Sequence, residues 1–324
     1  MAEDTTGLYV GQLTTEKPHS LLVDLAIRLV KEKPMGTVGA VIVLILLLVG
    51  IFANFIAPYG YNETWVGSRL EPSSWQFWMG TDKLGRDVLS RIVYGARISM
   101  FVGVGVSILS TIISALIGLI SGYFGGKTDL IIQRFVDAWM CFPGMFIMLT
   151  LMALLGPGIV QVILVLGVLY GITGSRTVRS AVISIKGNVY LEAARAIGAS
   201  SSTILFRHVL PNIMAPLIIV FTSRMGAAIL AEASISFLGF GIPAPFPSWG
   251  GMLNRARTDM LSALHLAVWP GLALSIVVYG INMFGDAIRD LLDPRLRGGL
   301  GRFSGTTKKL PKRITKRMQS EQSQ

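Results

Sequence analysis

The chain has 324 residues, 52% hydrophobic and 15% charged, with a mean hydropathy of +0.61. Soluble domains rarely hold that much apolar content, and here it falls in blocks, so the composition reads as an integral membrane protein. One cysteine, Cys141, excludes an internal disulfide and any cysteine-built metal cluster; it sits in an apolar run as a core or lipid-facing residue. A formal net charge of +11 raises nucleic acid as a partner, and the positions of the charges remove it again.

Residues 1–36 read as a tail, acidic at Glu3 and Asp4 and basic at Lys31 and Lys33. Its 21–30 piece has two readings: an amphipathic helix on the membrane surface with Arg28 at the headgroups, or a solvated tail. Thr37–Ala57 is nearly pure Val, Ile, Leu, Gly, Ala and Phe, and about 20 such residues cross the hydrocarbon core. It is too long and too far into the chain for a cleaved signal peptide, and is expected to be a retained anchor. A polar insert follows over 58–97. Its Trp65, Trp75 and Trp78 suggest an interfacial belt. Its Gly80-Thr-Asp-Lys-Leu-Gly-Arg-Asp87 run, alternating in sign, reads as a hydrogen-bonded turn before a helix Val88–Arg97 rather than a metal site.

The second span is Ile98–Gly122, where Gly103, Gly105, Gly118 and Gly122 let helices approach closely. Gly126-Lys-Thr128 imitates the end of a phosphate-binding loop. That motif needs a glycine where Ser121 stands, and a strand rather than a membrane helix before it, so no nucleotide site is assigned. The third span, about Leu130–Leu155, begins with Arg134 and Asp137 three residues apart on one face and is expected to kink or break at Phe142-Pro143-Gly144. The fourth starts at Ile159 and extends through Arg176 and Arg179, which reach the headgroups. The fifth is Asn212–Leu230, an insert occupies 232–261, and the sixth is Leu264–Ala287.

Under this six-span reading, 21 of the 29 Lys and Arg lie in the tails, the 123–134 turn and segment 176–210; seven lie on the other side, and Arg224 lies inside span five. The excess places both termini and segment 176–210 in the cytoplasm. The positive charge is thus an orientation signal, aided by anionic lipid, which leaves no need for a nucleic-acid partner.

The histidines, His19, His208 and His265, are scattered, and neither a zinc-protease helix nor a nucleophile elbow occurs, so the chain is not read as an enzyme. The acidic groups gather at span ends, unlike the midmembrane carboxylates of ion-driven carriers. Arg224, about 20 Å into span five at ~1.5 Å per residue, has two readings: it lines a path and meets a carboxylate, or it reaches for the outer interface. Ser223 and Asn282 join it as candidate path residues.

What remains is a conduit lacking its own engine. In Glu192-Ala-Ala-Arg-Ala-Ile-Gly198, Glu192 and Arg195 are spaced to pair on a short helix. Ala193, Ala194 and Ala196 keep its surface low for a packing partner, and Gly198 permits a sharp bend. Ser200, Ser201 and Ser202 suit the start of a second short helix, and Pro211 opens the next span. Two helices joined at Gly198 would make a knob that carries a push into spans four and five; the alternative is an ordinary loop.

The same stretch, followed by Val209-Leu-Pro-Asn212, resembles the coupling loop of ABC-importer permeases. Four further stretches narrow the resemblance: Gly80–Arg97, Gly122-Tyr-Phe-Gly-Gly126, Ala231-Glu-Ala-Ser-Ile-Ser-Phe-Leu-Gly239, and Pro247-Ser-Trp-Gly250 with Asp293-Pro-Arg295. Over about residues 37–295 the chain is similar to the C-type permease subunit of the dipeptide, oligopeptide and nickel importer family. The resemblance implies an all-α membrane protein of about six spans with the type I importer fold. It implies a coupling helix between spans four and five, carried by Glu192, Ala193, Ala194, Arg195 and Gly198. It also implies a heterodimer with a homologous B-type permease subunit, two ATPase subunits that bind ATP and magnesium, an extracytoplasmic binding protein, and a bacterial or archaeal inner membrane. No cofactor, metal or catalytic residue is assigned to this chain itself. Its organisation would be a tail over 1–36, the first span with its insert over 37–97, a permease core over 98–295 containing the coupling loop 190–211, and a basic tail over 296–324. Cargo would be di- or oligopeptides, with nickel chelates, glutathione or oligosaccharides as alternatives; a gradient-driven carrier and a non-transporting scaffold are the rival classes.

Overall fold

The computed structural model describes residues 21–292. The expectations for His19, for Asp293-Pro-Arg295 and for the basic tail 296–324 lie outside the described residues. Within them the chain is helical, with no strand, in the order α1 (Leu21–Glu32), α2 (Pro34–Ile51), α3 (Ala53–Ile56), α4 (Val88–Phe124), α5 (Gly126–Met140), α6 (Gly144–Leu155), α7 (Ile159–Lys186), α8 (Val189–Ala196), α9 (Ser201–Thr203), a π-helical turn (Ile204–Val209), α10 (Leu210–Asn212), α11 (Met214–Phe237), α12 (Trp249–Ala256) and α13 (His265–Leu292). Helices α2, α4, α7, α11 and α13 are long and apolar enough to cross a membrane, and α5 with α6 makes a sixth span if the bent pair is counted as one.

Two departures from the expected boundaries have physical causes. The helix expected at Val88–Arg97 and the span expected at Ile98–Gly122 are one helix, α4, of 37 residues. At ~1.5 Å per residue it is about 55 Å long, well beyond a ~30 Å hydrocarbon core. Asp87 starts it: its carboxylate accepts from Ser90 N–H at 2.7 Å and Ser90 Oγ at 2.6 Å. Arg97 does not end it, because its guanidinium donates to Gly50 O at 2.7 Å and Ile51 O at 3.2 Å, satisfying the last carbonyls of α2. At Phe142-Pro143-Gly144 the expected kink or break is a break, with 85° between α5 and α6. Helix α11 runs on to Phe237 and absorbs Glu232, which the sequence reading had put in the following insert. Glu232 is buried, and its Oε1 accepts from Ser236 Oγ one turn on at 2.6 Å, so its charge does not stop the helix.

Small residues set the closest packing. A Cβ on Gly118 of α4 would meet Val178 of α7 at 2.6 Å, and one on Gly171 of α7 would meet Ile113 of α4 at 2.6 Å. Between those points Ser114 Oγ donates to Gly171 O at 2.9 Å. Interhelical approach through glycine with a serine hydrogen bond is how helices associate where lipid removes the hydrophobic drive. Elsewhere α2, α4, α11, α12 and α13 share a core around Ile229, Trp249 and Ile281, and α4, α6, α7 and α11 share another around Val102, Leu166 and Ile235. Outward positions such as Val41, Leu44, Ile45 and Leu48 on α2 are exposed and apolar, as lipid-facing positions are. In the 58–87 insert, Trp65, Trp75 and Trp78 are all exposed.

Candidate functional site

The segment between α7 and α11 forms a compact knob. Helix α8 ends at Ala196, and Gly198 adopts φ +80°, a conformation that side-chain-bearing residues rarely take. Its N–H donates to Arg195 O at 3.0 Å, and Ala199 N–H donates to Ala194 O at 3.1 Å. This pair of bonds is a Schellman cap, closing α8 and turning the chain sharply. Ser200 then caps α9, its Oγ accepting from Thr203 N–H at 3.2 Å. The helix widens into a π turn before Pro211, which brings no amide to the ladder; Leu210 N–H bonds to Leu205 O, five residues back.

One face of the knob is fixed to the bundle. Leu191, Ala194, Ile204, Val209 and Ile213 are buried with Leu119 and Tyr123 at the end of α4 and with Val178 and Val182 of α7. Ala194 therefore packs within its own chain, whereas Ala193 and Ala196 are exposed. Arg195 lies over the Tyr123 ring, 5.6 Å from its centroid, and no Glu192–Arg195 ion pair forms among the described residues. Glu192 is exposed and free to face a partner. So are large apolar side chains: Val189 is 80% exposed, Ile197 85% and Phe206 62%.

Two ion-paired clusters stiffen the bundle end that carries the knob. Asp129 accepts from Arg179 Nε at 2.6 Å and from Ser121 Oγ, joining α5, α7 and α4. Asp137 pairs with Arg134 at 3.6 Å, as its spacing predicts, and also with Arg176 of α7.

The candidate path residues do not form one cluster. Arg224 turns toward α7, its guanidinium 5.1 Å from the centre of the Tyr170 ring and its Nη2 3.5 Å from Thr173 Oγ1. A cation over an aromatic face is stabilised without a carboxylate from its own chain. Asn282 of α13 stands against Gly226, two residues on from Arg224 and across α11. Ser223 and Asn282 are exposed.

The sequence reading missed the Arg195–Tyr123 and Arg224–Tyr170 pairings, since residues so distant in the chain carry no spacing signal. It missed the π turn, for which Pro211 was the available sign. It also missed α12, whose N-cap Ser248 accepts from Gly251 N–H at 3.0 Å. The buried Trp249 of α12 donates from Nε1 to Ile92 O of α4 at 3.1 Å, tying the second insert to the long helix.

Comparison with known proteins follows the same lines. Residues 114–298 match the family described as binding-protein-dependent transport system inner membrane component, and residues 20–72 match the N-terminal transmembrane domain of oligopeptide transport permease C. The glutathione transport system permease protein GsiD of Escherichia coli O6:K15:H31 is 40% identical over 269 residues, covering 83% of this chain and 89% of that protein. The dipeptide transport system permease protein DppC of Alkalihalophilus pseudofirmus is 38% identical over 272 residues, covering 84% and 90%. A chain of the MetNI methionine ABC transporter, solved in inward-facing conformations, matches in fold with a TM-score of 0.52 at 18% identity, covering 63% of this chain and 96% of that one. The helical bundle, its spans and these relatives together place the chain in the family of inner-membrane permease components of binding-protein-dependent ABC importers.

Proposed function

We propose that this chain is one half of the translocation path of an ATP-driven importer of peptides, and that the knob over 190–211 is its coupling element. The observation that carries this reading is the knob's two-faced construction. Leu191, Ala194, Ile204 and Val209 join it to α4 and α7, while Glu192, Ala193, Ile197 and Phe206 are presented outward. A push on the outer face therefore moves the ends of two of the longest helices. The Lys and Arg excess puts this knob and both termini on the cytoplasmic side, where two ATPase subunits would hydrolyse ATP with magnesium. A homologous B-type permease would supply the other half of the path, and a binding protein would deliver cargo outside. Ser223, Arg224 and Asn282 are proposed to line the path at separate points. The relatives favour small peptides as cargo, glutathione being itself a tripeptide.

The test is the assembled complex carrying Glu192→Lys or Ile197→Asp. Both sites are exposed, so insertion and B-subunit pairing are expected to persist. Substrate-stimulated ATP hydrolysis is expected to fall at least tenfold, with weaker co-purification of the ATPase subunits. Full stimulation in both variants would remove the knob from the coupling route.

A further inference from the structure

The opposite end of α4 carries a cavity that the coupling reading does not use. It has a volume of about 490 Å³ and lies between the 82–91 segment and α12. That volume falls in the range of small-molecule sites, about 300–1,000 Å³. Four cationic side chains line it, Lys83, Arg86, Arg91 and Arg255, against two carboxylates, Asp82 and Asp259.

Both carboxylates are already engaged. Asp82 Oδ2 accepts from Arg86 Nε at 2.7 Å and pairs with Arg86 Nη2 at 2.6 Å; Arg91 Nε is farther from it, at 3.9 Å. Asp259 pairs with Lys83 at 2.8 Å. Two guanidiniums keep donor capacity that these carboxylates do not take up. Arg91 is 1% exposed; its Nη1 donates to Tyr61 O at 2.7 Å, and its Nη2 has no hydrogen-bond partner. Arg255 is half-buried and has no ion-pair partner among the described residues. A buried charged donor without an acceptor is costly, and a site that keeps one is built to receive an acceptor. Burial and the nearby Arg86 charge pull the Arg255 guanidinium below its ordinary pKa, and the Asp82 carboxylate offsets this only in part.

We infer that this cavity binds the carboxylate of a small, peptide-sized molecule, with Arg91 and Arg255 as its donors. Guanidinium forks match a carboxylate's two oxygens in geometry as well as charge. Lys83 and Asp259 hold each other at the rim, and the apolar walls of Leu84, Val88, Met252 and Leu266 take the remainder of the ligand. An acidic side chain of a docking protein would need only a shallow notch, whereas the observed volume accommodates a whole small ligand. The inference rests on the importer reading only for its side of the membrane and its link to cargo; recognition of the carboxylate does not depend on coupling.

The test is calorimetric binding of N-acetyl-Ala-Ala and of its C-terminal amide to the full chain with its B-type partner in nanodiscs. The free acid is expected to bind, and the amide to bind at least tenfold more weakly, the loss of charge-assisted bonds being worth that much. Arg255→Gln is expected to weaken the acid about tenfold and leave the amide unchanged. Arg255→Lys should restore part of the difference. Arg91→Gln should act in the same sense, but Arg91 also holds Tyr61 O, so Arg255 carries the decision if that variant misfolds. Equal affinity for acid and amide, no binding of either, or an Arg255→Gln variant that binds the acid normally would each overturn the proposal. These readouts involve no ATP. Carboxylate discrimination with no ATPase stimulation would count against the importer reading alone, and the converse against the cavity alone.

Discussion

Gly198 offers the most direct test of the knob, because its geometry separates backbone strain from steric clash. Its φ is +80°, and a Cβ built on it meets nothing within 4 Å. Gly198→Ala therefore adds no collision, and its whole cost is that of a side-chain-bearing residue in the left-handed region, about 1–2 kcal/mol. Asparagine visits that region more readily than alanine, so Gly198→Asn should cost less at nearly the same position. A penalty of about 1–2 kcal/mol shifts the turn's equilibrium between capped and opened forms by a factor of roughly 5–30. It falls on the turn alone, since Leu191, Ala194, Ile204 and Val209 still fix the flanking helices. The expected order of substrate-stimulated ATP hydrolysis in proteoliposomes is Gly198, then Asn, then Ala, with the thermal midpoint of the purified complex nearly constant. Gly198→Trp, which adds bulk on the outward side, should abolish stimulation while insertion persists. An alanine variant that couples fully, or alanine and asparagine variants that fail equally, would refute the argument that a left-handed turn sets the angle of the knob.

The tie between the second insert and α4 predicts a graded stability loss. Trp249→Phe removes the Nε1 bond to Ile92 O and should cost about 1 kcal/mol, while Trp249→Ala also leaves a cavity and should cost about 3–5 kcal/mol; equal midpoints for the two in detergent unfolding would contradict the packing. At the rim of the cationic cavity, the Lys83 ammonium holds the Asp259 carboxyl below its ordinary range. The contact therefore stabilises the fold above the unfolded carboxylate pKa, near about 4, and its contribution is lost as pH falls through the lower folded value. Asp259→Asn should flatten the acid limb of a pH series of thermal midpoints, and an identical limb in the variant would show that Lys83 exerts no such hold.

How much of this was legible before the structure follows from what each signal measures. Hydropathy finds spans because every backbone group in lipid must be satisfied within its own helix, and the long apolar runs led to α2, α4, α7, α11 and α13 with ends displaced by several residues. Two of the displacements are at charged residues. Arg97 and Glu232 looked like span ends, yet one caps a neighbouring helix and the other bonds a serine one turn away. A hydropathy window counts charge and has no term for a partner. Gly198 and Ser200 were legible because capping is local: a glycine after an alanine-rich helix and a serine before the next one suffice to specify the turn. Arg195 over Tyr123 and Arg224 over Tyr170 were not, since each joins helices separated by most of a membrane crossing or more in sequence. Ala194 shows the limit within the knob itself. Composition alone made all three alanines contact residues, and only the register of α8 turns this one inward against its own bundle.

The two ends of α4 join these observations into a mechanical argument. At one end Leu119 and Tyr123 form the seat of the knob; at the other Val88 and Arg91 line the cationic cavity. The helix between them has no break over 37 residues, and α7 is packed on it through Gly118 and Gly171 too closely for either to slide without collision. Under the coupling reading proposed above, a displacement applied at the knob would be passed along α4 as a tilt, because an unbroken helix clamped by α7 offers no local place to bend. On the same reading the pivot would be the 85° break between α5 and α6, where the backbone hydrogen-bond ladder is already interrupted. Rigid elements joined at pre-broken ladders provide the division between lever and pivot that alternating exposure of a path requires.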